Sequence, residues 1–185
     1  FKQDTPYHNK DVYRHSLEVL DGSPRDLEIR LAALFHDLGK PGTKTLDADG
    51  CGHFYGHAEL GAEISRKILR GFNAPRKLID RVALLVRDHM INNSQFKAKG
   101  MKRLIGKHGQ EGVFKLLELQ KADRLASRKQ DISDILTMEE DLLDIISSCQ
   151  TYDEKQLAID GRDMIELGYK EGKIIGEILS YALDL

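Results

Sequence analysis

The sequence predicts an all-α protein carrying one small β-hairpin and a C-terminal helical extension. Apolar residues recur at three- and four-residue spacing along most of the chain, and strand-type composition is scarce. Gly, Pro, Asn and Asp cut the chain into segments of helix length. With 185 residues, 41% apolar and 31% charged, the chain can bury a core of good size. Its apolar runs fall far short of a membrane span, and no membrane partner is expected. The formal net charge of -2 gives no global pull toward polyanions, so any such contact must come from a local patch.

The elements follow in order. A first helix is expected over about 10–20, ending near Asp21-Gly22. Ser23-Pro24 reads as an N-cap with proline at the first helical position, opening a helix to Asp37 that Gly39 stops. Residues 43–55 have hairpin character: Thr43 to Leu46 and His53 to Tyr55 flank the turn-rich Asp47-Ala48-Asp49-Gly50. Helices resume at 58–71 and 75–90, with Asn73 placed to cap the second. Further helices are expected over 100–107, 110–128 and 133–148. After a break at 151–160, two short helices split at Gly168–Gly172 complete the chain. Cys51 and Cys149 are too few for a disulfide framework, which fits a reducing cytoplasm. An opening at Phe1 fits a fragment or a processed chain.

Chemistry concentrates where polar residues occupy apolar faces. The run Leu31-Ala32-Ala33-Leu34-Phe35 belongs in a core, yet it leads straight into His36-Asp37. A His-Asp pair is weak evidence alone, since 7 His and 18 Asp produce roughly 0.7 such pairs by composition. The stronger signal is repetition. His89 follows Val82, Leu85 and Val86 on one helical face, Asp123 follows Leu116 and Leu119, and His15 lies between Val12 and Val19. His57 stands at the start of the 58–71 helix. Each residue alone could be a hydrogen-bonded core group, with Asp123 paired to Arg124. Five coincidences on five helices favour a shared metal site. Imidazole plus carboxylate suits Zn, Mn, Fe or Ni, and open positions would make the site catalytic rather than structural.

The order His15, His36-Asp37, Asp123 resembles the H…HD…D signature of the HD superfamily of metal-dependent phosphohydrolases. Tyr7-His8, Val12, His15, the stretch Leu31 to Pro41, and His53-Phe54-Tyr55-Gly56-His57 with Gly61 are similar to the HD region of bacterial tRNA nucleotidyltransferases, the CCA-adding enzymes. Arg103-Leu104, Ala122-Asp123 and Ile159 to Gly168, with Gly172, Gly176 and Leu179, resemble the later part of that family. The resemblance implies an HD helical bundle over 1–130 and a tRNA-binding-like extension over 131–185. The glycine-rich nucleotidyltransferase head is not in this sequence, and Asp47-Ala48-Asp49 reads as a turn. Nucleotide addition by this chain alone is not expected.

The same resemblance implies His15, His36, Asp37 and Asp123 as ligands of one divalent ion, with His57 and His89 able to hold a second. The ion could be Ni, Mn, Fe, Zn or Mg. Such an ion acidifies water and stabilises charge on phosphoryl oxygens. Asp37 would orient that water, and Lys40 could reach a substrate phosphate or simply favour a helix C-terminus. His53 reads as an exposed hairpin histidine. Expected substrates are phosphomonoesters or 2′,3′-cyclic phosphodiesters of nucleotides or RNA ends, with tRNA a further partner. Lys97, Lys99, Lys102, Arg103 and Lys107 form a basic cluster suited to phosphate contact, and Arg162 lies in the tail-like segment. Asp134, Glu139, Glu140, Asp141 and Asp144 read as a solvent-facing acidic stretch. The competing expectation is a non-catalytic tRNA-binding body whose metal site is a relic.

Overall fold

The computed structural model describes residues 1–4, 10–91, 98–128, 130–148, 157 and 159–183, the side chains of 98, 99 and 183 excepted. The expected all-α architecture with one small hairpin is present. Helix α1 spans Val12–Gly22 and α2 Leu27–Phe35, followed by the single turn α3, Lys40–Thr43. Strands β1 (Thr45–Leu46) and β2 (Gly52–His53) pair antiparallel, with Thr45 opposite His53. Then come α4 (His57–Gly71), α5 (Arg76–Asp88), α6 (Ala98–Ala126), α7 (Ser133–Ser147), α8 (Gly161–Glu166) and α9 (Lys173–Leu183). The two expected helices across 100–128 are continuous except at Gly109, where φ 71° and ψ 164° break the helical path. Among the described residues no helix is long and apolar enough to cross a membrane.

Helix α2 is the hub, packing against α1, α5 and α6, while α4 lies along α5 and α7 along α6. Ala32 and Ala33 let its neighbours approach closely, and Val19, Val82, Val86, Leu116 and Leu119 close around them. From α7, Ile135, Met138, Leu142 and Ile145 join the same core. Helices α8 and α9 pack on each other. A capping box on Asp160 and Asp163 starts α8, and Gly168 at φ 93° ends it.

Three local expectations are corrected. Ser23 does not open α2; its hydroxyl donates to the Val19 carbonyl at 2.6 Å and closes α1. Asp26 is the cap instead, its Oδ1 accepting from the Glu28 and Ile29 amides. Asn73 makes no side-chain cap for α5; it takes φ 52°, and its amide closes the end of α4 on the Arg70 carbonyl. Gly39 is not a left-handed stop either, since it sits at φ -77°, ψ -18°. Its need for glycine is steric: a Cβ there would lie 2.0 Å from the His57 carbonyl oxygen. The first turn of α4 thus rests directly on the turn that follows Asp37.

That contact predicts a specific defect. Gly39→Ala should lower stability by about 3 kcal/mol or more, read by urea unfolding. Gly22→Ala, where nothing lies within 4 Å of the added carbon, should change it by less than about 1 kcal/mol.

Candidate metal centre

Helix ends place most of the polar residues on the apolar faces. His15 sits one turn into α1, His36 is the C-cap of α2, His57 begins α4, and His89 is the C-cap of α5. Asp37 lies in the turn after His36, Lys40 begins α3, and Asp123 projects from α6. The fold brings all seven together. His15 Nε2 is 2.9 Å from Asp123 Oδ1 and 3.9 Å from Asp37 Oδ2. His36 Nε2 is 3.3 Å from Asp37 Oδ2 and 3.8 Å from Asp123 Oδ1. On the other side of the same carboxylate, His57 Nε2 is 3.6 Å from Asp37 Oδ1 and 3.4 Å from His89 Nε2. Asp37 is therefore shared by two possible ligand triads, His15–His36–Asp37 and Asp37–His57–His89.

The backbone fixes which ring nitrogens face inward. Nδ1 of His36, His57 and His89 lies 2.8, 2.7 and 2.7 Å from the carbonyls of Ala33, Phe54 and Val86. A carbonyl only accepts, so each Nδ1 carries a proton, and in the neutral imidazole each Nε2 presents a bare lone pair to the centre. Burial lowers the basicity of His57, and burial followed by the nearby charge of His36 pushes His89 down to about 4. Two neutral imidazoles thus point lone pairs at each other across 3.4 Å. His36 Nε2 is itself buried without a hydrogen-bond partner. Repelling lone pairs, an orphaned nitrogen and two carboxylates fit a divalent cation well.

The charges are arranged to match. Asp37 is 1% exposed. Burial opposes its charge, but His36 and Lys40 outweigh that and hold its carboxyl well below the usual range. Burial likewise opposes ionisation of Asp123, and the His15 hydrogen bond prevails. His36 is pushed up to about 9 because its neighbouring carboxylates, Asp37 above all, overcome the desolvation that would lower it. Lys40 is buried, and its ammonium donates to Asp37 Oδ2 and Gln3 Oε1, both at 2.7 Å. A cleft of about 670 Å³ opens over this centre, lined by Asp37, Lys40, His57, His89 and Asp123 and rimmed by the hairpin.

Other sequence candidates fall elsewhere. His53 lines the cleft mouth and binds Asp47 Oδ2 at 2.9 Å. Asp47 Oδ1 accepts from the Asp49 and Cys51 amides, so Asp47-Ala48-Asp49 is a turn, as its composition suggests. Lys107 is held by Asp88 at 2.6 Å, Arg103 is exposed and Lys102 half-buried on α6, and Arg162 is exposed on α8. Lys97, the Lys99 side chain, Tyr7, His8 and Cys149 lie outside the described residues. The acidic stretch is not all solvent-facing: Asp134 pairs with Arg124 and Glu139 with Lys121, while Glu140, Asp141 and Asp144 are exposed. Arg124 is therefore engaged by α7, and Asp123 pairs with His15 instead.

Gln3, which anchors Lys40, and the buried Asp88–His108 pair at 2.7 Å are further polar contacts that no sequence pattern marks. Burial works against the charge of Asp88, yet His108 and Lys107 hold it down to about 2. Gln120 donates to the His89 and Ile91 carbonyls, fixing the end of α5.

The HD domain family model matches residues 12–144, and the chain belongs to that family. A CC-adding tRNA nucleotidyltransferase of Thermus thermophilus is 37% identical over 180 residues, covering 96% of this chain and 39% of the relative. An A-adding tRNA nucleotidyltransferase of Deinococcus radiodurans is 35% identical over 135 residues, 70% of this chain and 31% of its own length. A multifunctional CCA protein of Halorhodospira halophila is 35% identical over 83 residues, 43% of this chain and 19% of that protein. The chain thus spans well under half the length of these relatives.

The charge arrangement predicts a pH profile for the metal-free protein. Between about 6.5 and 9 the folded state alone keeps the His36 proton, so stability falls as pH rises through that window. Between about 6.5 and 4 the unfolded state takes up the His89 proton more readily, so stability falls as pH drops. Melting temperature measured with chelator should therefore peak near pH 6.5 (roughly the unperturbed histidine pKa). Added Mn²⁺ should abolish the decline toward pH 9, because the bound form needs His36 neutral.

Proposed function

We propose that the chain is a metal-dependent phosphohydrolase acting on phosphomonoesters or 2′,3′-cyclic phosphodiesters of nucleotides or RNA ends. The observation that carries this reading is the Asp37 carboxylate at a cleft floor, between two histidine groups with inward-facing Nε2 atoms. His15, His36, Asp37 and Asp123 would hold one divalent ion, and Asp37, His57 and His89 a second. Bound there, the metal supplies an acidified water and stabilises charge on phosphoryl oxygens. Ni, Mn, Fe, Zn and Mg all remain candidates for this nitrogen–oxygen donor set.

The chain's own residues do the positioning. Asp37 orients the attacking water from the floor. Lys40 holds Asp37 in place and offers a point positive charge where the substrate phosphate enters. Lys99, Lys102, Arg103, Lys107 and Arg162 would contact a longer RNA backbone, adding affinity without sequence reading. The hydrolase body spans 1–130 in this reading, and the extension over 131–185 engages tRNA. The relatives' names, which concern tRNA, support RNA as the substrate class. They also favour a second reading, a tRNA-binding body whose metal centre does not turn over.

An assay separates the two. The purified protein with Ni²⁺, Mn²⁺ or Mg²⁺ should hydrolyse adenosine 2′,3′-cyclic phosphate, and the isosteric Asp37→Asn variant should lose about 10²- to 10³-fold in kcat. Circular dichroism would verify that the variant is folded. Equal rates in wild type and variant, or turnover in neither, would overturn the catalytic reading. Tight tRNA binding without turnover would establish the second.

A further inference from the structure

We propose that the hairpin rim of the cleft is a nucleobase-stacking platform, with Tyr55 as its face, that seats the base next to the phosphate at the metal centre. The inference rests on the phosphohydrolase reading for the position of the phosphate, and on separate observations for the base.

Tyr55 is 81% exposed and lines the cleft. It is not loose. Its ring lies parallel to that of His53, with centroids 5.6 Å apart and planes 3° from coplanar. His53 is held in turn by Asp47 Oδ2, and Asp47 is fixed by the two turn amides it accepts through its other oxygen. A surface turn, a hydrogen bond from that turn to His53 and a ring stack therefore hold one face of Tyr55 and leave the other open. This organisation serves no core packing.

The position is equally telling. Tyr55 and His53 line the same cleft as Asp37, Asp123 and Lys40. Met90, 61% exposed and adjacent to His89, lines it too and presents a thioether suited to an aromatic neighbour. The cleft, about 670 Å³, is of a size that takes a nucleotide. Stacking is tolerant of base identity because every base has a π-face. The platform would therefore hold any terminal nucleoside, free or at an RNA 3′ end, and would discriminate against phosphoesters that lack a base.

The test is equilibrium binding, which does not depend on turnover. The probe is an adenosine analogue whose 3′ ester oxygen is replaced by carbon, so that its phosphonate cannot be hydrolysed. Ethylphosphonate serves as the base-free control. Tyr55→Ala should weaken the adenosine analogue roughly 5- to 150-fold, the range of one stacked base, and leave ethylphosphonate unchanged. Tyr55→Phe should bind like wild type. No loss in Tyr55→Ala, or equal losses for both probes, would overturn the platform. If the hydrolase reading fails because no substrate turns over, this binding difference still stands or falls alone. A trinucleotide carrying the same analogue at its 3′ end adds a further comparison. Tighter binding than the mononucleotide, lost in Tyr55→Ala, assigns the platform to an RNA terminus; equal or weaker binding, likewise lost in Tyr55→Ala, assigns it to a free nucleotide; binding that Tyr55→Ala leaves unchanged would overturn the platform.

Discussion

The buried carboxylate of Asp37 is the constraint around which the bundle is arranged. An ionised group in the core is costly unless opposite charge and hydrogen bonds surround it. Here Lys40 and His36 supply positive charge, Asp123 adds a second anion, and His15 and His57 close the ring. Two carboxylates against one ammonium and one imidazolium come close to balance in the metal-free protein. A dication entering this ring would displace the His36 proton rather than add to an existing excess of positive charge. The same groups thus stabilise the fold in one state and present a ligand set in the other.

The helices deliver these side chains through their ends and their close approaches. Last-turn carbonyls of α2 and α5 and one loop carbonyl, which would otherwise need partners, accept the Nδ1 protons of three histidines. Glycine lets the backbone come close enough for this to work. Gly39 admits the His57 carbonyl, and Gly61 faces the His36 carbonyl with only 3.3 Å for an added carbon. Positioning of His57 against Asp37 is therefore a matter of backbone contact between α4 and the turn after α2, more than of side-chain packing.

Much of the centre was legible because a polar residue in an apolar stripe breaks a periodic pattern. That is how His15, His89 and Asp123 stand out, and His36-Asp37 gained its meaning from them. Other features had no periodicity to break. Asp88 and His108 are 20 residues apart on different helices, and Gln3 meets Lys40 across 37 residues. A capping residue in the sequence does not say which helix it serves: Ser23 closes α1, and Asp26 opens α2. Gly39 shows the limit of composition, since a glycine demanded by a neighbouring carbonyl looks in sequence like one demanded by a left-handed turn. The acidic row on α7 divided because only Asp134 and Glu139 face α6, where Arg124 and Lys121 wait.

On this reading Asp37 would bridge a divalent-ion site between two histidine groups. The most direct measurement is anomalous X-ray scattering from crystals grown with Mn²⁺, recorded above and below the manganese absorption edge. Anomalous density is expected within bonding distance of the Asp37 carboxylate, flanked by His15, His36 and Asp123 or by His57 and His89. A well-ordered Asp37 with no anomalous density beside it, at saturating Mn²⁺, would contradict it.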